Sequence, residues 1–101
     1  MSNYRDRKLL DLAHRVTECQ GCGKYCPDGC EPAHSNSMIL GKGASIKAHD
    51  NFHAALCHEC HVGIDSGRKS GEDAAYDWAR AHFRTMLLYF RNGWIKVAKA
   101  S

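Results

Sequence analysis

Two Cys-x-x-Cys pairs in a short chain constrain this sequence more than any other feature. Cys19-Gln20-Gly21-Cys22 and Cys57-His58-Glu59-Cys60 each hold two thiols across one tight turn, where both sulfurs can face one tetrahedral centre. Gly21 inside the first pair and Gly23 just after it relieve the crowding of such a turn. Four thiolates close the coordination of a tetrahedral ion, so the expected occupant is a structural zinc without an open position for chemistry. In a chain of 101 residues such a clamp supplements a core that is thin on its own.

Two further thiols, Cys26 and Cys30, also precede His34 and could replace the first pair as ligands. The knuckle spacing and the flanking glycines favour Cys19 and Cys22. Cys26 and Cys30 then read as thiols on either side of a tight turn, open to pairing when oxidised.

Six cysteines in a secreted chain would suggest a disulfide framework. Here the first residues, MSNYRDRKLLDLAHRV, are charged throughout and lack the apolar centre of a signal peptide. A cytoplasmic location is therefore expected, and with it a reducing environment that favours zinc over disulfides. No apolar stretch is long enough to cross a bilayer, so no membrane partner is expected. The length sets a single domain over residues 1–101, and 44% hydrophobic with 25% charged residues is ordinary for a soluble globular protein. A net charge of +3 is compatible with a polyanionic partner but is common among proteins that never meet one.

Patterning along the chain predicts an α+β fold. Leu9, Leu12, Ala13 and Val16 predict an N-terminal helix over residues 4–17, capped by Ser2 or Asn3, within a first segment 1–17. Pro27-Asp28-Gly29 predicts a turn, with Tyr25-Cys26 and Cys30-Glu31 as the arms of a hairpin. Residues 35–51 form a long polar connection around Gly41-Lys42-Gly43. A short apolar run, 52–56, enters the second cysteine pair, and a short helix follows over about 58–64, ending the central segment 18–67 near Ser66-Gly67. Ser70-Gly71-Glu72-Asp73 has the form of a capping box. It opens a long helix over about 72–92, in a last segment 70–101, with Ala75, Trp78, Ala79, Phe83, Met86, Leu87 and Phe90 as its apolar side and Gly93 as its end. Trp94, Ile95 and Val97 fold back as an edge strand or tail.

The residues around the cysteine pairs carry a family resemblance. Ala33-His34-Ser35-Asn36, Gly41-Lys42-Gly43, Ile46-Lys47-Ala48-His49-Asp50, the run from Ala54 to His61 and Ile64-Asp65 before Gly67 resemble small phage- and prophage-encoded HNH nuclease-like proteins of the YbcO type. Arg84-Thr85-Met86-Leu87-Leu88 and Gly93-Trp94-Ile95-Lys96-Val97 are similar too, so the resemblance covers most of the chain from about residue 18 onward. It implies a ββα-metal core, two strands and a helix around one catalytic metal, beside the four-cysteine zinc knuckle.

The resemblance also implies roles. His34, at the end of a strand, would act as general base on the water that attacks a phosphodiester, a task suited to an imidazole. His61 would hold a catalytic divalent cation, magnesium, manganese or zinc, both imidazoles serving one pocket. Asp50, or Asn51 beside it, would occupy the middle position and hold the His34 loop or polarise its imidazole. Asp65 follows His61 by four residues and shares its helical face, where it would orient that ring or join it on the metal. Lys42, Lys47 and Arg68 flank these groups in polar loops and are candidates for contact with phosphates. The implied activity is a metal-dependent endonuclease acting on DNA. One departure matters: many HNH nucleases carry an aspartate just before the first histidine, and here that position is Ala33. The alternative is a non-catalytic zinc module that binds nucleic acid or a protein partner, with His61 packed beside the knuckle and His34 at the surface.

Overall fold

The computed structural model describes residues 2–44, 46–66 and 71–98. Its elements are helix α1 (Arg7–Asp11) running into a 3-10 turn (Leu12–Arg15), strand β1 (Glu31–His34), a 3-10 turn (Met38–Leu40), strand β2 (His53–Leu56), helix α2 (His58–Asp65) and helix α3 (Gly71–Arg91). This is the α+β class expected, with the strand, strand, helix order at its centre. No helix among the described residues is long and apolar enough to cross a membrane.

β1 and β2 pair antiparallel, with Glu31 opposite Leu56, Ala33 opposite Ala54 and His34 opposite His53. Ser35 extends the ladder by donating its amide to the Phe52 carbonyl at 2.9 Å. Alternation across the pleat gives each face of this small sheet its own core. Ala33, Ala54 and Leu56 pack with Cys19, Cys57, Trp78 and Ala81 on one side. Ala55 packs with Ala13, Val16, Cys30 and Tyr89 on the other.

α3 spans nearly the residues expected, but it buries a different face. Trp78, Ala81, Thr85 and Tyr89 are its buried residues, whereas Phe83, Leu87 and Phe90 are half or more exposed and Ala75 is exposed. The reason is the unpaired edge of β2, whose backbone groups need partners when they are buried. Thr85 Oγ1 accepts the Ala55 amide at 3.0 Å and donates to the Ala81 carbonyl at 2.8 Å. His82 Nδ1 donates to the His53 carbonyl at 2.7 Å, and the Trp78 indole donates to the Ala33 carbonyl at 2.8 Å. A polar stripe that a hydrophobic count passes over is therefore the docking face. Thr85→Val keeps the shape but orphans the Ala55 amide, and should cost about 1–3 kcal/mol in a denaturant or thermal melt. The capping box predicted at the start of this helix includes Ser70, which lies outside the described residues.

The N-terminal helix is shorter than predicted, and neither Ser2 nor Asn3 caps it. Residues 2–6 are stitched to the loop before β2 instead: Tyr4 N–H donates to His49 Nδ1 at 2.9 Å, Asp50 N–H to the Tyr4 carbonyl at 3.0 Å, and Asn3 Nδ2 to the carbonyls of Gly41 and Lys47. Backbone groups committed across the loop cannot join a helix, so α1 starts only after Asp6, whose side chain caps it at Leu9 N. The turn at 26–29 forms, with Gly29 at φ +93° where a Cβ would overlap the His14 backbone. It does not close the predicted hairpin. Tyr25 bridges to Glu18, and Cys30 N–H donates to the Ala13 and Val16 carbonyls, which leaves β1 free to pair with β2. Among the described residues after Gly93 no strand forms; Trp94 folds back to donate its amide to the Tyr89 carbonyl and lies under the Arg15 guanidinium, 4.1 Å from its ring centre.

Candidate metal centre and histidine cluster

The first knuckle is built onto the edge of β2. Gln20 N–H donates to the Ala55 carbonyl at 3.0 Å, and the knuckle closes on itself through Gly23 N–H to the Cys19 carbonyl at 2.8 Å. That anchor brings Cys19 and Cys22 to the start of α2, where Cys57 is the N-cap and Cys60 lies in the first turn. Gly21 is where the approach is tightest, since a Cβ there would meet Leu56 at 3.1 Å and the Cys19 and Cys60 sulfurs at 3.6 and 3.7 Å.

The four sulfurs of Cys19, Cys22, Cys57 and Cys60 lie within 4.8 Å of one another. Among the described residues no other set of three or more cysteine, histidine or acidic side chains gathers its ligand atoms so closely. The Cys22 and Cys57 sulfurs stand 3.9 Å apart, and a tetrahedral ion with bonds of about 2.3 Å to sulfur requires about 3.8 Å. The set is therefore close to the geometry of a single bound metal ion. None of the six cysteines is in a disulfide.

Electrostatics fit the same reading. Burial works against ionisation of Cys19, but amide hydrogen bonds from Cys22, Cys57 and Gly21 outweigh it and bring its thiol down to about 7. Burial, with neighbouring sulfurs, pushes Cys57 and Cys60 up. Four crowded sulfurs cannot all carry charge unless a cation stands between them. Cys30 is not part of the set: it sits in the second core, and burial pushes its thiol up to about 12.

His34, at the end of β1, makes a 2.8 Å hydrogen bond from Nε2 to Asp50 Oδ1. Asp50 is nearly inaccessible and is fixed from three sides, since Oδ2 accepts the Asp6 amide at 2.6 Å and Oδ1 also meets Arg5 Nη1 at 3.2 Å. Burial alone would raise its pKa, but the His34 ring, the Asp6 amide and the Arg5 guanidinium hold it below the ordinary 3.8. A carboxylate with a lowered pKa stabilises the fold at pH above its ordinary value, and that contribution is lost as pH falls through the lowered one. Asp50→Asn should therefore be less stable than the parent at pH 7, by about 1–3 kcal/mol, and the gap should close in acid; urea titrations at stepped pH measure it. Asn51, the other candidate for this position, is exposed.

His61, half-buried on α2, lies between two carboxylates. Its Nδ1 is 2.9 Å from Glu31 Oε1 and its Nε2 is 3.3 Å from Asp65 Oδ2. Asp65 also accepts from Asn36 Nδ2 at 3.2 Å, and Glu31 is shared with His58 at 3.1 Å. The His61 ring is the main cause that lowers the Glu31 pKa. The pairing of Asp65 with His61 agrees with their helical spacing. The two imidazoles belong to separate networks, however: Glu31 and His34 point to opposite faces of β1, and among the described residues no side chain bonds to both rings.

Of the phosphate-contact candidates, Lys42 is half-buried and Lys47 exposed, both in the connection between the strands, and Arg68 lies outside the described residues. Three partners escaped the sequence reading: Glu31, Asn36 and Arg5. Glu31 sits opposite Leu56 in the strand register, and hence beside the first turn of α2, so knowledge of that register would have found it. Arg5 reaches Asp50 from 45 residues away, and no local pattern signals it. His53 is structural: Nδ1 donates to the Asp50 carbonyl, Nε2 accepts from the Tyr89 hydroxyl, and burial lowers its pKa to about 4. No family model matches this chain, and neither does any curated protein or solved structure.

Proposed function

We propose that this protein is a zinc-stabilised ββα module that hydrolyses phosphodiester bonds in nucleic acid, with DNA as the expected substrate. The observation that carries the reading is the His34–Asp50 pair, 2.8 Å apart at the end of β1, with the carboxylate itself locked by Asp6 and Arg5. A histidine oriented by a fixed carboxylate is the arrangement of a general base. With Nε2–H donated to Asp50, the neutral ring keeps its lone pair on Nδ1, the atom that would take a proton from water. His61 and Asp65, with Glu31 holding the far side of the ring, are the groups that would hold a divalent cation, magnesium, manganese or zinc. Bound there, the cation would neutralise charge on a backbone phosphate, and because its network is separate from that of His34, one nucleic-acid strand would have to reach across both. Lys42 and Lys47 would meet flanking phosphates. The four cysteines leave no open position, so the zinc they hold is structural.

A second reading, a non-catalytic zinc module that binds nucleic acid or a protein partner, is favoured by two observations. Ala33 offers no ligand beside His34, and His61 already has a carboxylate at each ring nitrogen. A metal count separates the two: the nuclease takes up a second, weaker divalent ion that Asp65→Asn removes, and the binding module takes only the thiolate-bound one. The direct assay incubates the purified protein with supercoiled, branched and single-stranded DNA in magnesium or manganese. Cleavage that depends on the ion supports the first reading, and intact DNA under every condition refutes it.

A further inference from the structure

α3 exposes a continuous stripe of large apolar side chains. Tyr76, Phe83, Leu87 and Phe90 are 70%, 71%, 50% and 51% exposed. At 3.6 residues per turn they fall within an arc of about 60° on one face, over a length of about 21 Å. Beyond Phe90 the patch continues into a groove lined by Leu9, Leu12, Met86, Trp94 and Ile95. The opposite side of the same helix already covers the edge of β2, so the fold itself does not use the stripe.

Charge is segregated along the helix. Glu72, Asp73 and Asp77 lie in its first two turns, and Arg80, Arg84 and Arg91 follow. We infer that this face is a two-fold interface between copies of the chain, the two α3 helices packed antiparallel about a point near Phe83. Antiparallel packing sets the acidic turns of one copy against the basic turns of the other and opposes the helix dipoles. Parallel packing would set like charge on like. A nucleic-acid strand laid along the stripe would meet acidic side chains over its first two turns, which phosphates disfavour. A self-complementary patch with oppositely charged ends is what an isologous contact requires.

Sedimentation equilibrium of the full, metal-loaded chain tests this, independently of any nuclease activity. A dimer is expected at micromolar concentration. Phe83→Glu puts a charge at the centre and should weaken association at least about thirtyfold, with the circular dichroism spectrum unchanged because the side chain is mostly solvent-facing. Arg91→Glu should weaken it less, and adding Asp73→Arg, on the same flank of the stripe, should restore much of the loss by recreating opposite charges at the two ends. A chain that stays monomeric at every concentration overturns the proposal, as does a dimer that Phe83→Glu leaves intact. Failure of the paired reversal to restore association overturns the antiparallel orientation.

Discussion

Stripping the metal from the four-cysteine centre should unfold the protein, with loss of helical circular dichroism and recovery when zinc is returned. The expectation rests on magnitudes. Binding of structural zinc to small finger peptides is worth roughly 10–16 kcal/mol near neutral pH, against a total stability of about 5–15 kcal/mol for an ordinary domain. The buried core here leans on alanines: Ala13, Ala33, Ala48, Ala54, Ala55 and Ala81 are all buried, and Leu56 and Tyr89 are among its few large members. Such residues bury little apolar area each, so packing supplies too little to hold the fold alone. The knuckle also carries the Gln20 contact to β2, so its loss frees a sheet edge as well as four thiols. Cys19→Ser and Cys57→Ser should each reproduce the effect of a chelator. Cys26→Ser should not, because its sulfur is outside the four that converge. A chelated chain that keeps its spectrum and melts as before would refute this account of its stability.

His34→Ala should abolish DNA cleavage, with a fall of about 10²–10⁴-fold in rate, the usual contribution of a positioned base. The protein should stay folded and retain its thiolate-bound metal, because the ring lies at a strand end and its one hydrogen bond goes to an aspartate that keeps the Asp6 and Arg5 contacts. Asp50→Asn separates orientation from chemistry. The base remains, but an amide can present its NH₂ to the ring and stabilise the wrong tautomer, so a fall smaller than that of His34→Ala is expected. Glu31→Gln should alter the metal concentration needed for half-maximal rate more than the saturated rate, since it acts through His61. Equal activity of His34→Ala and parent would remove the base from the mechanism.

The four-cysteine cluster was legible because its information is local. Cys-x-x-Cys spacing and Gly21 specify a knuckle whatever surrounds it, and Cys57 and Cys60 meet the first pair as expected. The lengths of α2 and α3 were legible for a similar reason, being set by helix starts and stops. The face of α3 was not, since Thr85 and His82 are chosen by the backbone edge they must satisfy, which appears only once β2 is placed. The N-terminal helix failed in the same way: its apolar spacing holds, but residues 3–5 spend their polar groups on the 41–50 loop, a contact remote in sequence. Asp65 could be named as a partner of His61 from helical spacing, whereas Asp50, with Asn51 as the alternative, came from the resemblance alone. Glu31 and Arg5 required the fold.

X-ray absorption at the zinc edge of the protein purified without added metal decides whether the four sulfurs share one ion. One zinc per chain is expected, with four sulfur neighbours at about 2.3 Å and no nitrogen or oxygen bound to it. Protein isolated without zinc, or zinc bound by a mixture of sulfur and imidazole, would contradict it.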